Sequence, residues 1–418
     1  MRKLSMITSR WSSIVTVAGS LIFFADGCTF GPSTLRISQT KYNMAIQSTT
    51  NEQLLLNLVR LRYRDVPLFL QIPSVSTQSE ITQSSDFSAA ITENVGPEPL
   101  NADLFNLGFR LEFSERPTVT IIPLQGNDFV TRMFKTYDLD TIATLHASGW
   151  AIDRIIGLTV NRMNHLGNAV NASSPTPDEA PVYADFTRVM YLLRQLQNRD
   201  GFILAYSLHE ENASDPLPET AVTTESALAA AGKGYFLRRT EDGYVLRTTH
   251  PVLQLRPSAE TRRWPEWIEF RDLLNLEPGL AEYEITLAAV PASYGVPNGR
   301  DKQIIINTRS LLGTLFYLSH AVEVPPQHLV NGLATITRDE SGREINWADV
   351  TNNLLRIRTQ PNRPTNAAAA VKYRGNWFYI EDDDRNSKST FMLLNYLVAW
   401  QAGEYETRGP VLTLPVGR

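Results

Sequence analysis

The sequence predicts an α+β fold: mixed strand–helix units with antiparallel hairpins, packed as two subdomains. Three observations lead there. Some stretches alternate apolar and polar residues, as Leu104–Phe113 (LFNLGFRLEF) does, which is the period of a half-buried strand. Others space apolar residues three and four apart, as Leu54, Leu58 and Leu61 do, which stacks them on one helix face. Strand patterns also lead directly into helix patterns, Gln303–Asn307 into 309–322 and Asn376–Ile380 into 389–401. A chain of 418 residues, 43% apolar, has the length and composition for one large core or two ordinary ones.

In chain order, residues 1–27 read as a signal peptide. Arg2, Lys3 and Arg10 form a basic start, and the apolar run Ile14–Ala25 is twelve residues long, short for a membrane span. Ala25-Asp26-Gly27-Cys28 then resembles a lipobox, with alanine where leucine is usual and an unusual aspartate. Cys28 is the single cysteine and is the expected lipidation site, its thiol receiving the diacylglyceryl group. Several acyl chains on one residue anchor a protein stably where one chain does not. Thr29 after the cysteine, in place of a retention aspartate, implies the outer membrane. Removing a signal of net +2 (Arg2, Lys3 and Arg10 against Asp26) takes the chain's net −5 to −7. An acidic chain with no basic stripe excludes nucleic acid as the expected partner. One cysteine excludes a disulfide within the chain, so stability must come from the core.

Residues 28–47 are expected to be a polar tether, followed by an N-terminal α+β subdomain at 48–167. Its leading element is Thr50–Asp65, a helix apolar on more than one face, with Thr49 as cap and Glu52 completing a capping box, or Asn51 as a rival cap. Pro67 ends it. Arg62 falls on the stripe of Leu55 and Val59, so it must be paired within that face or leave it. A structural ion pair is expected, with Glu323 or the acidic turn Glu381, Asp382 and Asp384 as partner.

Pro73 in Leu68–Val75 argues for an edge strand or a bulge. Residues 79–91 read as a strand or a loop. Leu104–Ile122 reads as a hairpin turning at Glu115-Arg116-Pro117. Short helices follow at 127–137 and 139–148, then a longer one at 151–166. The Pro/Ser/Asp-rich stretch 168–181 is the expected joint to a C-terminal subdomain, 182–418. There, 182–199 is helical and 202–208 a strand. Residues 210–234 are low in aromatics and read as a mobile stretch. Glu241-Asp242-Gly243 signals a hairpin turn, Trp264–Leu276 a helix and Tyr283–Val290 a strand. Thr308 is the expected cap of the helix 309–322.

Four segments are similar to a family of bacterial cell-envelope lipoproteins known mainly as hypothetical proteins. They are YNMAIQSTTNEQLLLNLVRLRYRD, SERPTVTIIPLQGNDFV, TRSLLGTLFYLSHAVEVP and YRGNWFYIEDDDRNSKSTF. The resemblance implies one common fold and an envelope location, and carries no catalytic residue.

No catalytic constellation is present by spacing. Gly-x-Ser-x-Gly is absent, His209-Glu210 lacks the second histidine of a zincin helix, and Gly232-Lys233 lacks the rest of a phosphate loop. Ser38-Gln39-Thr40-Lys41 has no Lys-Thr-Gly partner. Asp382, Asp384 and Asn386 resemble the start of a calcium loop, but Ser387 and Leu393 occupy the positions that need glycine and glutamate, so a helix-capping turn is the better reading. Metal, cofactor and catalytic residues are all expected to be absent. The expected function is structural or assembly work in the cell envelope: a lipid anchor at Cys28, envelope protein partners and no nucleic acid. The alternative is an envelope hydrolase acting on glycan or peptide. A small-molecule carrier is a third option.

Overall fold

The computed structural model describes residues 30–90, 104–124, 126–175, 180–288, 299–351 and 354–402. Met1–Glu52 form one unit and Gln53–Arg418 a second. Cys28 and the rest of the expected signal lie outside the described residues.

The expected tether and the cap at Thr49 are overturned. Helix α1 (Phe30–Arg62) runs unbroken through both. Thr50 Oγ1 donates to Ile46 O at 2.9 Å and Ser48 Oγ to the Glu52 carboxylate at 3.2 Å. A hydroxyl that would cap a helix end bonds the preceding turn when the helix continues instead. In the second unit α1 buries Leu54, Leu55, Leu58, Val59 and Leu61.

Next comes a two-stranded ribbon, β1 (Leu70–Ala90) and β2 (Leu104–Pro123). They pair antiparallel along their whole length, from Leu70 opposite Pro123 to Ala90 opposite Leu104. The expected turn at Glu115-Arg116-Pro117 is therefore corrected: these residues sit mid-strand, opposite Ser79, Gln78 and Thr77. Both strands of a two-stranded ribbon are edges, and an edge tolerates the missing N–H of Pro117. Pro73 falls inside the register shift between Gln71 and Ser74, as its chemistry requires.

The main sheet has seven strands: β3 (Val160–Met163), β4 (Leu166–Gly167), β5 (Phe202–Asn212), β6 (Tyr235–Thr240), β7 (Gly243–Pro257), β8 (Tyr283–Leu287) and β9 (Gln303–Thr308). Its order is β4-β3-β9-β8-β7-β5, with β6 also on β7; β8 and β9 are parallel and the other pairs antiparallel. Strands from both sides of 168–181 share this sheet, so the expected joint between two subdomains does not divide the fold. A second sheet is antiparallel, β10 (Arg358–Gln360), β12 (Asn376–Glu381) and β11 (Ala367–Tyr373), in the order β10-β12-β11.

The helices are α2 (Asn127–Phe134), α3 (Leu139–Ala147), α4 (Ile152–Thr159), α5 (Ala184–Gln197), α6 (Thr224–Gly232), α7 (Pro265–Leu273), α8 (Leu311–Ser319), α9 (Pro326–Val330), α10 (Trp347–Val350) and α11 (Arg385–Ala402). The helix expected at 151–166 stops at Thr159, because Val160 and Arg162 pair with β9. The stretch expected to be mobile holds the end of β5 and all of α6. A capping box opens α6, with Thr223 Oγ1 accepting from Ser226 N at 3.1 Å and Ser226 Oγ accepting from Thr223 N at 2.9 Å. The β6–β7 turn is where Glu241-Asp242-Gly243 predicts it. Gly243 has φ 130°, and a Cβ there would meet Leu217 O at 2.3 Å, so only glycine fits.

Candidate functional site

Three of the clusters formed by the described polar residues bear on the expected sites, and each holds the fold. The first is where the end of α1 meets α9, β11 and β12. Arg62 is half-buried and has no carboxylate partner. It donates to Thr335 O at 3.1 Å, and its Nε is buried without a partner. Burial pulls its pKa down to about 10. The expected ion pair is thus overturned in its residues, although the docking itself is present. The carboxylate lies on the α1 side: Asp65 accepts from Arg374 at 2.9 Å and from the Tyr373 hydroxyl. The Tyr373 hydrogen bond, then Arg374, hold Asp65 below its ordinary pKa against desolvation. Tyr63 completes the contact, its hydroxyl 2.7 Å from His328 Nδ1 and its ring edge-on to Phe378.

His320 lies close by, stacked on Trp347 with ring centroids 3.9 Å apart. Neither ring nitrogen has a hydrogen-bond partner. Burial chiefly, and then the Arg62 charge, push its pKa down to about 3, the Ala172 backbone pulling weakly the other way. It is a neutral ring in the core and no proton carrier near neutral pH.

The second place is a buried arginine that the sequence reading missed. Arg309 is 2% exposed and has no acidic partner. Its Nη1 donates to Gly157 O at 3.0 Å and Val160 O at 2.9 Å, its Nη2 to Asn168 O at 2.5 Å and its Nε to Ser173 Oγ at 2.9 Å. Its guanidinium carbon also sits 3.9 Å from the centroid of the Tyr317 ring. The Gly157 and Val160 carbonyls lie at the C-terminus of α4, the negative end of the helix dipole, so the cation caps it. Asn168 and Thr314 share that work, donating to Val160 O at 2.8 Å and Leu158 O at 3.1 Å. Thr308, the expected cap of α8, is the last residue of β9 and donates to Tyr137 O at 2.6 Å. Ser310 is the cap, accepting from Gly313 N at 3.1 Å. A charge inside the apolar run QIIINTRSLLGTLF is the signal that marks Arg309.

The third place is an open groove lined by Arg356, Arg358, Glu381, Asp383, Asp384 and Asn386. Here the acidic turn finds its partners, and none is Arg62. Glu381 accepts from Arg358 at 2.7 Å and Asp382 from Lys388 at 2.6 Å. Asp384 caps α11, accepting from Ser387 N at 3.0 Å and Ser387 Oγ at 2.6 Å. Against desolvation, the Ser387 hydroxyl and backbone hold Asp384 below its ordinary pKa. The charge of Glu323 is felt at Arg358, so Glu323 and Glu381 serve a different arginine from Arg62. Local pairing along the β12–α11 turn satisfies these carboxylates before a distant helix can.

Beneath the main sheet lies an apolar cavity of about 40 Å³, lined by residues such as Ile142, Val160, Phe202 and Ile306. Its size is far below the several hundred Å³ of a ligand pocket, so it offers a carrier no room for cargo. Among the described residues no three His, Cys, Asp or Glu converge as a metal group, and no helix is long and apolar enough to cross a membrane. What stands apart from all of this is the ribbon, whose two strands pair, among the described strands, with each other alone.

No family model, curated protein or solved structure matches the chain.

Proposed function

We propose that this chain is a lipoprotein anchored to the periplasmic face of the outer membrane, with a structural role in assembling the cell envelope. The observation that carries this reading is Cys28. The only cysteine in the chain stands directly after a basic start, a twelve-residue apolar run and small residues, where lipidation requires it. Acylation there ties the chain to the bilayer, and Thr29 directs it to the outer membrane. The resemblance to envelope lipoproteins supports the same place. The ribbon supports an assembly role, since it presents two strand edges that no other described strand pairs with.

A hydrolase of the two-carboxylate kind that cleaves glycans needs a carboxylic acid kept neutral beside a carboxylate. In the open groove Glu381 is held by Arg358, and Asp384 is a helix cap held below its ordinary pKa. The geometry therefore favours binding over hydrolysis.

The test is metabolic palmitate labelling with membrane fractionation of the wild type and Cys28→Ser. The wild type is expected to carry label and sediment with outer membranes, and the variant to lose both. Label that persists in Cys28→Ser refutes the anchor.

A further inference from the structure

From the register of the ribbon we infer that β1 and β2 are staves of a membrane-spanning β-barrel, closed by the same hairpin from several copies of this chain. From Ser74 opposite Thr120 outward the pairing is regular, so odd-numbered residues of both strands share one face and even-numbered residues the other. On the odd face, β2 places Phe105, Leu107, Phe109, Leu111 and Phe113 in an unbroken row. Opposite them β1 places Ala89, Phe87, Ser85, Gln83 and Ile81. Between Glu80 and Ser114 every charged residue of the two strands, Glu80, Asp86, Arg110 and Glu112, falls on the even face. The next charge on the odd face is Glu115, just beyond the row.

This pattern has a length as well as a polarity. The charge-free row covers nine residues of each strand, Ile81–Ala89 and Phe105–Phe113. Nine extended residues span about 30 Å, and close to the ~25 Å apolar band of an outer-membrane barrel once tilted. A strand in the wall of a barrel needs one face for lipid and one for the lumen, alternating residue by residue, and β2 does this across the band.

The edges decide the partner. In lipid every backbone N–H and C=O must be paired within the protein, and a two-stranded ribbon leaves both outer edges unpaired. The chain's other described strands are committed to two sheets of their own. A ribbon of this length also has marginal stability alone in water. Equal hairpins side by side satisfy both edges of each copy, and the smallest known barrels of this kind have about eight strands, hence about four copies. The inference rests on the envelope location proposed above, though not on the lipid anchor.

The experiment uses the full mature chain, purified in detergent and reconstituted into phosphatidylethanolamine/phosphatidylglycerol vesicles holding a small fluorescent dye. Native mass measurement is expected to give rings of about four or more copies, and the vesicles to release dye. Trypsin should fail to cut at Arg110 in vesicles, because that site lies within the bilayer. Leu111→Arg puts a charge in the middle of the apolar row and should lower release at least about ten-fold. Ser114→Arg, on the even face, should leave release within about two-fold. A matching thermal transition of the body in both variants guards against misfolding. Particles no larger than a dimer, cleavage at Arg110 in vesicles, or equal effects of the two substitutions overturn the inference. Protein that carries no acyl group yet forms rings and releases dye overturns the anchor alone. Acylated protein that stays monomeric and releases nothing overturns the barrel alone.

Discussion

Strands β7 and β2 read alike and live differently. Both are long, and both alternate apolar and polar residues over part of their length. β7 has neighbours on both sides, β5 on one and β6 and β8 on the other, and it buries Val252, Leu253 and Leu255. β2 has one neighbour, β1. Within the body, core packing and capped helix ends meet the needs of both backbone and side chains. The ribbon leaves one edge of each strand without a partner among the described strands. Alternation thus shows that a strand has two different faces, while the number of paired edges shows whether the chain can serve both by itself.

If that contrast is right, damage to the body should cost far more folding stability than damage to the ribbon. The largest effect is expected at Arg309. Arg309→Met leaves buried carbonyls without their donor and should destabilise by about 3–5 kcal/mol in urea unfolding, at about 1–3 kcal/mol for each buried acceptor left unsatisfied. A loss under about 1 kcal/mol would mean that Asn168 and Thr314 cap the helix unaided.

His320 comes next, through pH. The unfolded ring titrates near 6.5 and the folded one near 3. The unfolded state therefore binds the proton first, and stability is full above pH 6.5 and falls as pH drops through that window. From pH 7 to pH 5 this residue should remove about 2 kcal/mol. His320→Phe keeps a ring on Trp347 and should flatten that part of the pH dependence. An unchanged profile in the variant would place the acid sensitivity elsewhere.

Asp65→Asn should cost about 1 kcal/mol or less, since Asp65 and Arg374 are both more than a third exposed and solvent screens the pair. Pairing the change with Arg374→Gln in a double-mutant cycle measures the coupling directly. The smallest effect is expected in the ribbon. Phe109→Ser should shift the unfolding midpoint of the soluble protein by under about 0.5 kcal/mol, the size of a surface change. A loss of 2 kcal/mol there would show that the body covers the ribbon's apolar face.

Much of the body is legible in the chain because periodicity and turn chemistry are local. The β6–β7 turn follows from Asp242-Gly243, and the bulge at Gln71/Ser74 from Pro73. The capping of α11 by Asp384 is local too. What escapes is set by distant partners. Arg62 looks like one half of an ion pair, yet the carboxylate that docks α1 is Asp65, three residues on, and its cation comes from the β11–β12 turn. Arg309 escapes notice because carbonyls that bind it belong to a helix some 150 residues earlier in the chain. Ala367–Tyr373 escapes as a strand because alanine carries little β preference and pairing with β12 overrides it. Pro117 reads as a turn because proline ends strands in sheet interiors, and a ribbon has no interior.

Amide hydrogen exchange, followed by mass spectrometry on the soluble protein and on the protein in vesicles, tests the difference between body and ribbon most directly. In solution the amides of Val252–Leu255 in β7 should be protected and those of Phe105–Phe113 in β2 should exchange rapidly. In vesicles the β2 amides should slow to match β7 while the body stays unchanged. Equal protection of both strands in solution, or β2 amides that exchange as fast in vesicles as outside them, would contradict a ribbon completed from outside the chain.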